Sequence, residues 1–380
     1  MWSAIKQLLR RVEAAGYTAT VAALTPVNWL IAKTLAPRAV PGSVLHVSVM
    51  VHVPAYMVRI LREHGVKADY LAVGHSPWWN QSDYHFRPTR LPLLSVFKEM
   101  WWIWTVVARY EIVHSHFMMT VSRAGWEWTL LRAIGRKLVI QYRGCEIRDR
   151  ERNMAMHPRI NICQDCDYRP YICTTAFNTA HRPLAARHGH AFLVTTPDLK
   201  DFSPAAQHIP FFVTRPDAPA AVPIRSRPFK IVHATNHPGI EGSRQIRDAI
   251  RSLVAKGHAI DFVELNGVTH DRVLAELADA DLTIGKMKMG YYANLQIESL
   301  AAGVPAVTCI RDEFVTDEIR RSGLILASLD NLAGVLEHYL THRDELEHKR
   351  AACRASVLRL HDNAAIARDY AALYARLTVR

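Results

Sequence analysis

The sequence predicts an α/β protein made of two Rossmann-like parallel-sheet domains that face a central cleft. Three observations support this fold class. The chain has 380 residues, which is more than one ordinary hydrophobic core holds. Apolar runs of strand type alternate with helical patterns in both halves, as βαβ units require. Residues 215–228 contain four prolines and little pattern, which predicts a linker between the halves.

The predicted division of the chain follows these features. It gives an N-terminal extension, a first domain with a Cys-containing insert, the linker and a second domain, at residues 1–41, 42–214 (insert 143–190), 215–228 and 229–380.

In the first domain the apolar runs predict strands 44–50, 70–73, 111–114, 137–142 and 191–195, with helices ending at 64 and spanning 94–109 and 121–134. Residues 75–90 are polar and aromatic, which predicts a long loop. The tryptophan cluster 101, 102 and 104 lies in an almost wholly apolar helix, and we expect it to be core.

The second domain alternates more regularly. Strands are predicted at 229–234, 260–265, 281–284, 305–309 and 324–327. Helices are predicted from Ser243, over 270–280, after residue 294 and over 313–322, and three more complete the chain. Parallel sheets of this kind bind ligands beyond the carboxyl ends of their strands.

The N-terminal extension begins with a basic amphipathic pattern over residues 1–16, and residues 17–32 carry no charge but include Pro26 and Asn28. The uncharged run is short of the ~20 residues that span a bilayer. We expect either a helix lying in the membrane interface or a helix packed on the first domain. A secretory signal is disfavoured because the apolar run starts late.

Composition describes a folded protein that prefers anionic partners. Apolar residues make up 49% and charged residues 22% of the chain. The net charge of +12 favours nucleotide diphosphates, lipid phosphates or an acidic membrane surface. Nucleic acid is disfavoured, because the chain lacks interleaved arginine and aromatic motifs.

The segment Gly290 to Thr308 is the most informative part of the chain. Its small and aromatic loop runs into a short helix, for which Asn294 is the predicted N-cap, and Gly303 and Pro305 end it. Backbone N–H groups at such a helix start suit a phosphate. Glu298, one turn further on, can accept hydrogen bonds from the two hydroxyls of a ribose. The alternative is that Glu298 only complements the helix dipole.

This segment resembles the nucleotide-sugar site of retaining family-4-type glycosyltransferases, which have the GT-B fold. Their motif is Glu, seven residues, Glu, followed by a small-residue helix, a Gly and a Pro. Glu298 matches the second Glu, and Gly290 stands where the first would be. The resemblance implies a nucleoside-diphosphate-sugar donor, a ribose contact for Glu298 and no catalytic metal or other catalytic cofactor.

The resemblance also implies a basic clamp for the donor diphosphate just after the first strand of the second domain. Here that loop, residues 234–243, has His237 and Glu241 in the positions that are usually basic, and it also offers Asn236. Lys286 and Lys288 can substitute for the clamp; their alternative is a solvated strand end. The remaining predicted donor contacts are the backbone groups of Tyr291, Tyr292, Ala293, Asn294 and Leu295.

In the first domain the resemblance implies a histidine that faces the donor sugar. We assign it to His116, although His114 also fits, and a buried hydrogen-bonded histidine is the alternative for either. Glu146 follows the next strand and is a candidate acceptor-side base or sugar ligand. His116, Glu146 and Lys288 are therefore the predicted catalytic residues.

The cysteines suggest a separate feature. Four of the six fall within 29 residues, and the C-x-x-C pair has the spacing of half a zinc or iron–sulfur site. A structural metal would order the weakly patterned insert, with His157 as a substitute ligand for one thiol. The alternative is unrelated thiols in a reduced cytoplasm. The candidate ligands are Cys145, Cys163, Cys166 and Cys173.

The sequence therefore predicts a cytoplasmic glycosyltransferase, peripheral at the inner face of the membrane. It would move a sugar from a nucleoside diphosphate to a glycan or lipid-linked acceptor in cell-surface polysaccharide synthesis. Two alternatives stay open: a nucleotide-sugar-binding protein of the same fold without turnover, and a sugar-nucleotide epimerase.

Overall fold

A computed structural model describes residues 2–76, 79–214 and 227–379, and the side chains of residues 2–7, 9 and 10 are not described. Most of the predicted linker, residues 215–226, therefore lies outside the described residues. The chain divides into two compact units. The first comprises Met1–Glu146, Thr175–Leu193 and Ala367–Arg380, and the second comprises Ile147–Thr174 and Val194–Ile366. The sequence-based division was contiguous, whereas both units draw on separated segments.

The elements up to residue 208 are, in chain order, α1 Trp2–Thr34, β1 Val40–Val49, α2 His52–Glu63, β2 Lys67–Val73, β3 Tyr84–Phe86, α3 Pro92–Thr105, β4 Tyr110–His116, α4 Glu127–Ala133, β5 Lys137–Tyr142, α5 Arg150–Met156, α6 Ala176–His188, β6 Ala191–Val194 and β7 Gln207–His208. The first sheet has the order β3-β2-β1-β4-β5-β6-β7. Its pairs from β3 to β5 are parallel. The strand order reverses between β1 and β4, which makes these two strands the topological switch point.

The remaining elements are β8 Phe229–Ala234, α7 Pro238–Glu241, α8 Ser243–Ala255, β9 Ile260–Leu265, α9 His270–Leu277, β10 Leu282–Ile284, α10 Asn294–Ala301, β11 Ala306–Thr308, α11 Asp317–Arg321, β12 Leu324–Leu326, α12 Leu332–Thr341, α13 Arg343–Leu360 and α14 Asn363–Thr378. The second sheet is parallel throughout, in the order β12-β11-β10-β8-β9. This is a doubly wound arrangement with its switch point between β8 and β10.

The second sheet is buried on both faces, as helices on each side of a parallel sheet require. On one face, residues of β8, α8, β10 and α12 form a continuous apolar cluster that includes Ile231, Ile250, Ile284 and Leu336. A second cluster packs α10 and α13 around Ile297 and other side chains.

The N-terminal extension is one continuous helix of 33 residues, α1. Its residues from 17 onward pack on α3 through Tyr17, Val96 and Met100. The Tyr17 hydroxyl donates to Glu99 at 2.6 Å, and Trp104 Nε1 donates to the Asn28 side chain at 2.9 Å. Among the described residues, no helix combines the length and the apolar character that crossing a membrane requires.

The expectation that all three tryptophans of α3 lie in the core was wrong. Trp104 packs toward α1, but the side chain of Trp101 is 69% exposed. The buried face of α3 includes Val96, Glu99 and Ile103. Trp101 lies two residues before Ile103, about 200° around the helix, and therefore points to the opposite side.

Candidate functional site

The carboxyl ends of β8 and β10 carry two loops, residues 235–242 and 285–293, on either side of the switch point of the second sheet. In a doubly wound sheet this position is where ligands bind. The loops contain most of the residues that the sequence assigned to the donor. The second unit alone therefore brings these predicted site residues to one edge.

Gly290 lies in the loop after β10 with φ of +81°, a conformation that side-chain-bearing residues rarely adopt. A Cβ there would meet Arg311 Cγ at 2.8 Å. The Arg311 backbone N–H also donates to the Gly290 carbonyl at 3.0 Å. The position of the missing first Glu is thus filled by Arg311, whose guanidinium donates to Asp201 at 2.7 Å.

The helix α10 begins at Asn294, with Ala293 as its N-cap, so the prediction of Asn294 as N-cap was wrong by one residue. The Ala293 N–H is satisfied by the Gln296 side chain at 3.1 Å. The same buried amide donates to Thr308 at 3.1 Å and occupies the space beside Gly285. Gln296 therefore holds together the loop after β10, α10 and β11, and only a glycine fits at 285.

Glu298 is 9% exposed and lies in the second turn of α10. His270, the first residue of α9, contacts its carboxylate through Nε2 at 2.8 Å. A cavity of about 390 Å³ between α9 and α10 is lined by Glu298, Asp271 and mostly apolar side chains. A carboxylate in a largely apolar hollow of this size fits a small-molecule site. Glu298 is thus partnered and beside a cavity, not packed against hydrocarbon alone.

Two larger hollows lie elsewhere. One of about 500 Å³ is lined by Arg62, Asp69 and Tyr110 near the amino ends of β2 and β4. Another of about 680 Å³ lies over β12 and α12, beside Asp330 and Tyr339. The first lies at the amino ends of its strands and the second lies along the edge strand β12, whereas the loops at the carboxyl ends of β8 and β10 flank the switch point, so size alone does not locate the site.

The two candidate clamp lysines are both paired with carboxylates of the chain. Lys286 forms an ion pair with Glu241. Lys288 is only 4% exposed and donates to the Asp165 carboxylate and, at 3.3 Å, to the Gly239 carbonyl. The hydrogen bond from Lys288 to Asp165 is the main reason why the pKa of Asp165 is lowered. The glutamate in the usually basic position therefore neutralises one lysine, and an aspartate from residues 147–174 neutralises the other.

The other predicted donor residues are also engaged. The Asn236 side chain accepts from the Gly267 N–H at 3.3 Å. The ring of His237 lies 4.1 Å from that of Tyr168, and burial lowers its pKa. Tyr292 is 2% exposed and its hydroxyl contacts His361 at 3.0 Å. Tyr291 stacks on Tyr292 at 4.5 Å. Leu295, in the first turn of α10, packs toward β8 and α9.

In the first unit, His46 on β1 and His114 and His116 on β4 lie side by side at the switch point, and all three are fully buried. Arg143 Nε donates to His116 Nδ1 at 3.1 Å, and an arginine can only donate. His116 Nε2 therefore carries the proton and donates to His46 Nδ1 at 3.0 Å. His114 Nδ1 contacts the Tyr374 hydroxyl at 2.7 Å.

Burial and the neighbouring Arg143 keep these imidazoles neutral. The pKa of His46 is lowered to about 3, and those of His114 and His116 are also lowered, chiefly by burial. Although neutral imidazoles bind metals, the ring of His116 stacks on the other two at interplanar angles of 16° and 19°. Lone pairs in nearly parallel planes do not converge on one ion, and Arg143 opposes a cation.

Arg143 and Glu146 follow β5. The Arg143 backbone N–H donates to the Glu146 carboxylate, which is 2% exposed. Beside them, Phe117 and Met118 directly after β4 have φ of 56° and 54°. Such conformations cost about 1–3 kcal/mol each and concentrate at functional sites. The carboxyl ends of β4 and β5 thus gather a guanidinium, a carboxylate and a strained turn.

The structure gives no support to a metal at the cysteines. Among the described residues, Cys145, Cys163, Cys166 and Cys173 do not form a group whose ligand atoms lie within 4.8 Å of one another. The buried Cys163 sulfur instead accepts from the Asn153 side chain at 3.3 Å. Burial raises its pKa, which disfavours the thiolate that a metal needs. The C-x-x-C segment instead forms a turn that hydrogen bonds to asparagine side chains hold in place.

Sequence reasoning missed four residues that build the second-unit site: His270, Gln296, Arg311 and Asp165. Only His270 had a usable signal, since Thr269-His270 opens a helix with a capping threonine. The other three act across loops that are distant in sequence, so no local spacing reveals them.

These features define the class of protein. Two parallel-sheet α/β units, of seven and five strands, give the chain the GT-B fold of glycosyltransferases.

Solved structures show the same fold at low sequence identity. Sucrose-phosphate synthase from Thermosynechococcus elongatus matches with a TM-score of 0.62 at 15% identity, over 88% of this chain and 98% of the other. The catalytic domain of starch synthase IV from Arabidopsis thaliana, bound to ADP and acarbose, gives 0.58 at 12%, over 89% and 99%. Anabaena HepE in complex with UDP-glucose gives 0.57 at 11%, over 88% and 99%. No protein-family model and no curated protein sequence matches the chain.

Proposed function

We propose that this protein is a glycosyltransferase that moves a sugar from a nucleoside diphosphate to a glycan or lipid-linked acceptor. The observation that carries the proposal is the position of Glu298 on α10, where it contacts His270 of α9 and lines a cavity of a doubly wound unit. An acidic side chain is the group that binds ribose hydroxyls in the dinucleotide sites of doubly wound sheets. Similar folds complexed with ADP and with UDP-glucose support this class of donor.

In this proposal the second unit binds the donor. Glu298 accepts from the ribose hydroxyls, and the backbone of residues 291–295 at the start of α10 receives the diphosphate. Lys288 and Lys286 supply positive charge to the leaving diphosphate, which is the group that develops charge as the sugar departs. Asn236 and His237 border the same edge on the β8 side.

The first unit would serve the sugar and the acceptor. Glu146 is the proposed acceptor-side base or sugar ligand. His116 has no exposed surface and both its ring nitrogens are engaged, so we propose that it acts by orienting Arg143. By resemblance the reaction retains configuration, with attack on the face from which the diphosphate leaves and without an enzyme nucleophile.

We also propose that the protein works in the cytoplasm, peripherally at the inner face of the membrane, in cell-surface polysaccharide synthesis. One face of α3 exposes Leu93, Phe97 and Trp101, spaced by four residues and therefore aligned. Exposed arginines at 87, 90 and 109 flank this helix. An apolar stripe bordered by basic residues suits an anionic lipid surface.

The alternative of a binding protein without turnover has a specific basis. Both clamp lysines are neutralised by Glu241 and Asp165, and Gly290 lacks the side chain that relatives use on the donor sugar. A sugar-nucleotide epimerase of the same fold is distinguished by its product.

The deciding experiment incubates the purified protein with a panel of UDP-, GDP- and ADP-sugars, with and without glycan and lipid-linked acceptors. Transfer to an acceptor supports the proposal. A changed sugar nucleotide without acceptor identifies an epimerase. Tight nucleotide binding without any product identifies the binding protein, and absence of binding to every donor would refute the proposal.

A further inference from the structure

Residues 161–170, here called the acidic loop, form an ordered turn of the second unit. The Asn161 side chain accepts from the backbone N–H groups of Cys163 and Gln164 at 3.0 and 2.9 Å. Its amide donates to the His157 carbonyl at 2.8 Å, and Arg169 donates to the Cys166 carbonyl at 2.8 Å. These hydrogen bonds give the loop a defined shape of its own.

The acidic loop is docked on the carboxyl end of β8 and β10. Its Asp165 accepts from the buried Lys288 and, at 3.5 Å, from Gln245 of α8. Its Asp167 accepts from the Gly239 backbone N–H at 3.0 Å. Two carboxylates of the loop thus take one ammonium and one backbone amide from the β8 and β10 loops.

The backbone of the loop is also close. A Cβ at Gly239 would lie 2.0 Å from the Asp165 carbonyl oxygen, a distance that real atoms do not reach. Gly239 is therefore the residue type that lets the loop approach this strand end. The loop and the strand end are in close steric contact as well as paired electrostatically. A larger side chain at position 239 would therefore push the loop away from the strand end.

The carboxylates of the acidic loop resemble the oxygens of a bound phosphate. The two carboxylates accept from a lysine ammonium and from a backbone N–H, which are the same kinds of donor that bind phosphate oxygens. Asp165 and Asp167 each remain about one-third exposed, whereas Lys288 is 4% exposed. Because these carboxylates remain accessible to solvent, a more highly charged anion can compete with them for the Lys288 ammonium and the Gly239 N–H.

We propose that the acidic loop is an internal competitor of the donor diphosphate, with Asp165 on Lys288 and Asp167 on the Gly239 amide. This inference rests on the proposed function in that it names the regulation of the same site. Donor binding then requires the loop to leave, and the apparent affinity is reduced by the fraction of molecules in which it is docked. Any partner that holds the loop away increases donor affinity.

The test compares pyrophosphate binding by calorimetry, at fixed ionic strength, for the wild type, Asp165→Asn and Asp248→Asn. The last variant removes the same charge from an exposed position of α8. We expect Asp165→Asn to bind pyrophosphate roughly three- to tenfold more tightly, because Lys288 is no longer neutralised. Asp248→Asn should bind as the wild type does.

Equal affinity of Asp165→Asn and the wild type, weaker binding by Asp165→Asn, or no pyrophosphate binding by any form would each overturn the inference. Its failure is separable from that of the proposed function. Sugar transfer without any effect of Asp165→Asn would retain the function and remove the competitor. Tighter pyrophosphate binding without transfer or donor binding would retain the competitor and remove the function.

A second measurement follows the loop itself by amide hydrogen exchange. Gly239→Ala should speed exchange in residues 161–170, because the added Cβ pushes the Asp165 backbone away. Gly334→Ala in α12, where no atom lies within 4 Å of the added Cβ, should leave that exchange unchanged. Saturating pyrophosphate should also speed exchange in the wild-type loop. Unchanged or slower exchange in either case would contradict displacement.

Discussion

At the residue scale, Arg311 fills the space beside Gly290, which could not be predicted from the sequence. Its side chain occupies the space where a Cβ at Gly290 would lie, and its guanidinium pairs with Asp201. The positive charge beside the loop after β10 thus comes from the turn after β11, whereas the motif that the segment resembles has a glutamate in the loop itself. A glutamate at position 290 would have to adopt a positive φ and would clash with the Arg311 side chain. The local packing therefore requires a glycine where the motif has a glutamate.

Glu298 gives the residue-scale prediction. Glu298→Gln keeps the shape of the side chain but removes its charge, so charge-assisted hydrogen bonds to a ribose would be lost. We expect nucleotide affinity to fall about tenfold or more, equivalent to roughly 1.5–3 kcal/mol. Calorimetry with the best-binding nucleoside diphosphate measures this, and thermal unfolding checks that the variant is folded.

Asp271→Asn is the informative comparison, since Asp271 lines the same cavity but is absent from the family motif. It should weaken binding less than Glu298→Gln does. If the two variants bind alike, or if Glu298→Gln binds as the wild type does, the ribose assignment is wrong.

At the scale of elements, α1 and α3 form a pair whose inner face is packed and whose outer face is apolar. Residues 17–31 of α1 pack on α3 as the second of the two expectations for the N-terminal extension proposed. The other expectation, a helix lying in the membrane interface, fits α3 better than α1, because Leu93, Phe97 and Trp101 of α3 are 50–69% exposed. A helix that is apolar on two faces fits between a protein core and a lipid surface.

Replacing Phe97 and Trp101 together by serine should abolish co-sedimentation with anionic phospholipid vesicles, because the exposed stripe of α3 loses its apolar anchors. Val254→Ser, which removes an equally exposed apolar side chain from α8, should sediment with vesicles as the wild type does. Vesicles of neutral lipid serve as the second control. Undiminished sedimentation of the double variant would exclude α3 as the membrane contact.

The elements were mostly predictable from sequence, for a definite reason. The strands at 137–142, 229–234 and 260–265 match the structure residue for residue, since apolar runs bounded by turn residues leave few choices. The short β3 was missed inside the predicted loop 75–90, because three residues carry no period. The helices α5 and α6 of the insert were also missed, since their polar composition hides the apolar face.

At the scale of the whole molecule, stability should decrease in mild acid. Three buried histidines at the first sheet are neutral when folded, with the pKa of His46 lowered to about 3 from an ordinary value near 6.5. The unfolded chain binds these protons below pH 6.5 and the folded chain does not. Each such proton lowers the free energy of unfolding by about 1.4 kcal/mol per pH unit as the pH falls toward the folded pKa.

Thermal unfolding at pH 7.5, 6.5 and 5.5 measures this decrease. His46→Gln should lose stability at every pH but show a shallower decline with acid, whereas exposed His75→Gln should follow the wild type. The comparison is needed because burial raises the pKa of Glu127 to about 7, which favours the folded state as the pH falls. An unchanged slope in His46→Gln would contradict the assignment.

The sequence by itself determined the alternation of strands and helices, hence the two parallel-sheet units, and it led to the hypothesis that Glu298 and the loop before it bind the donor. These features are local, because the periodicity of apolar residues and the turn chemistry of Gly303 and Pro305 act within a few neighbours. Only the tertiary structure decided which charges meet. Asp165 lies on Lys288 across 123 residues, and such pairings depend on chain paths that no local pattern encodes.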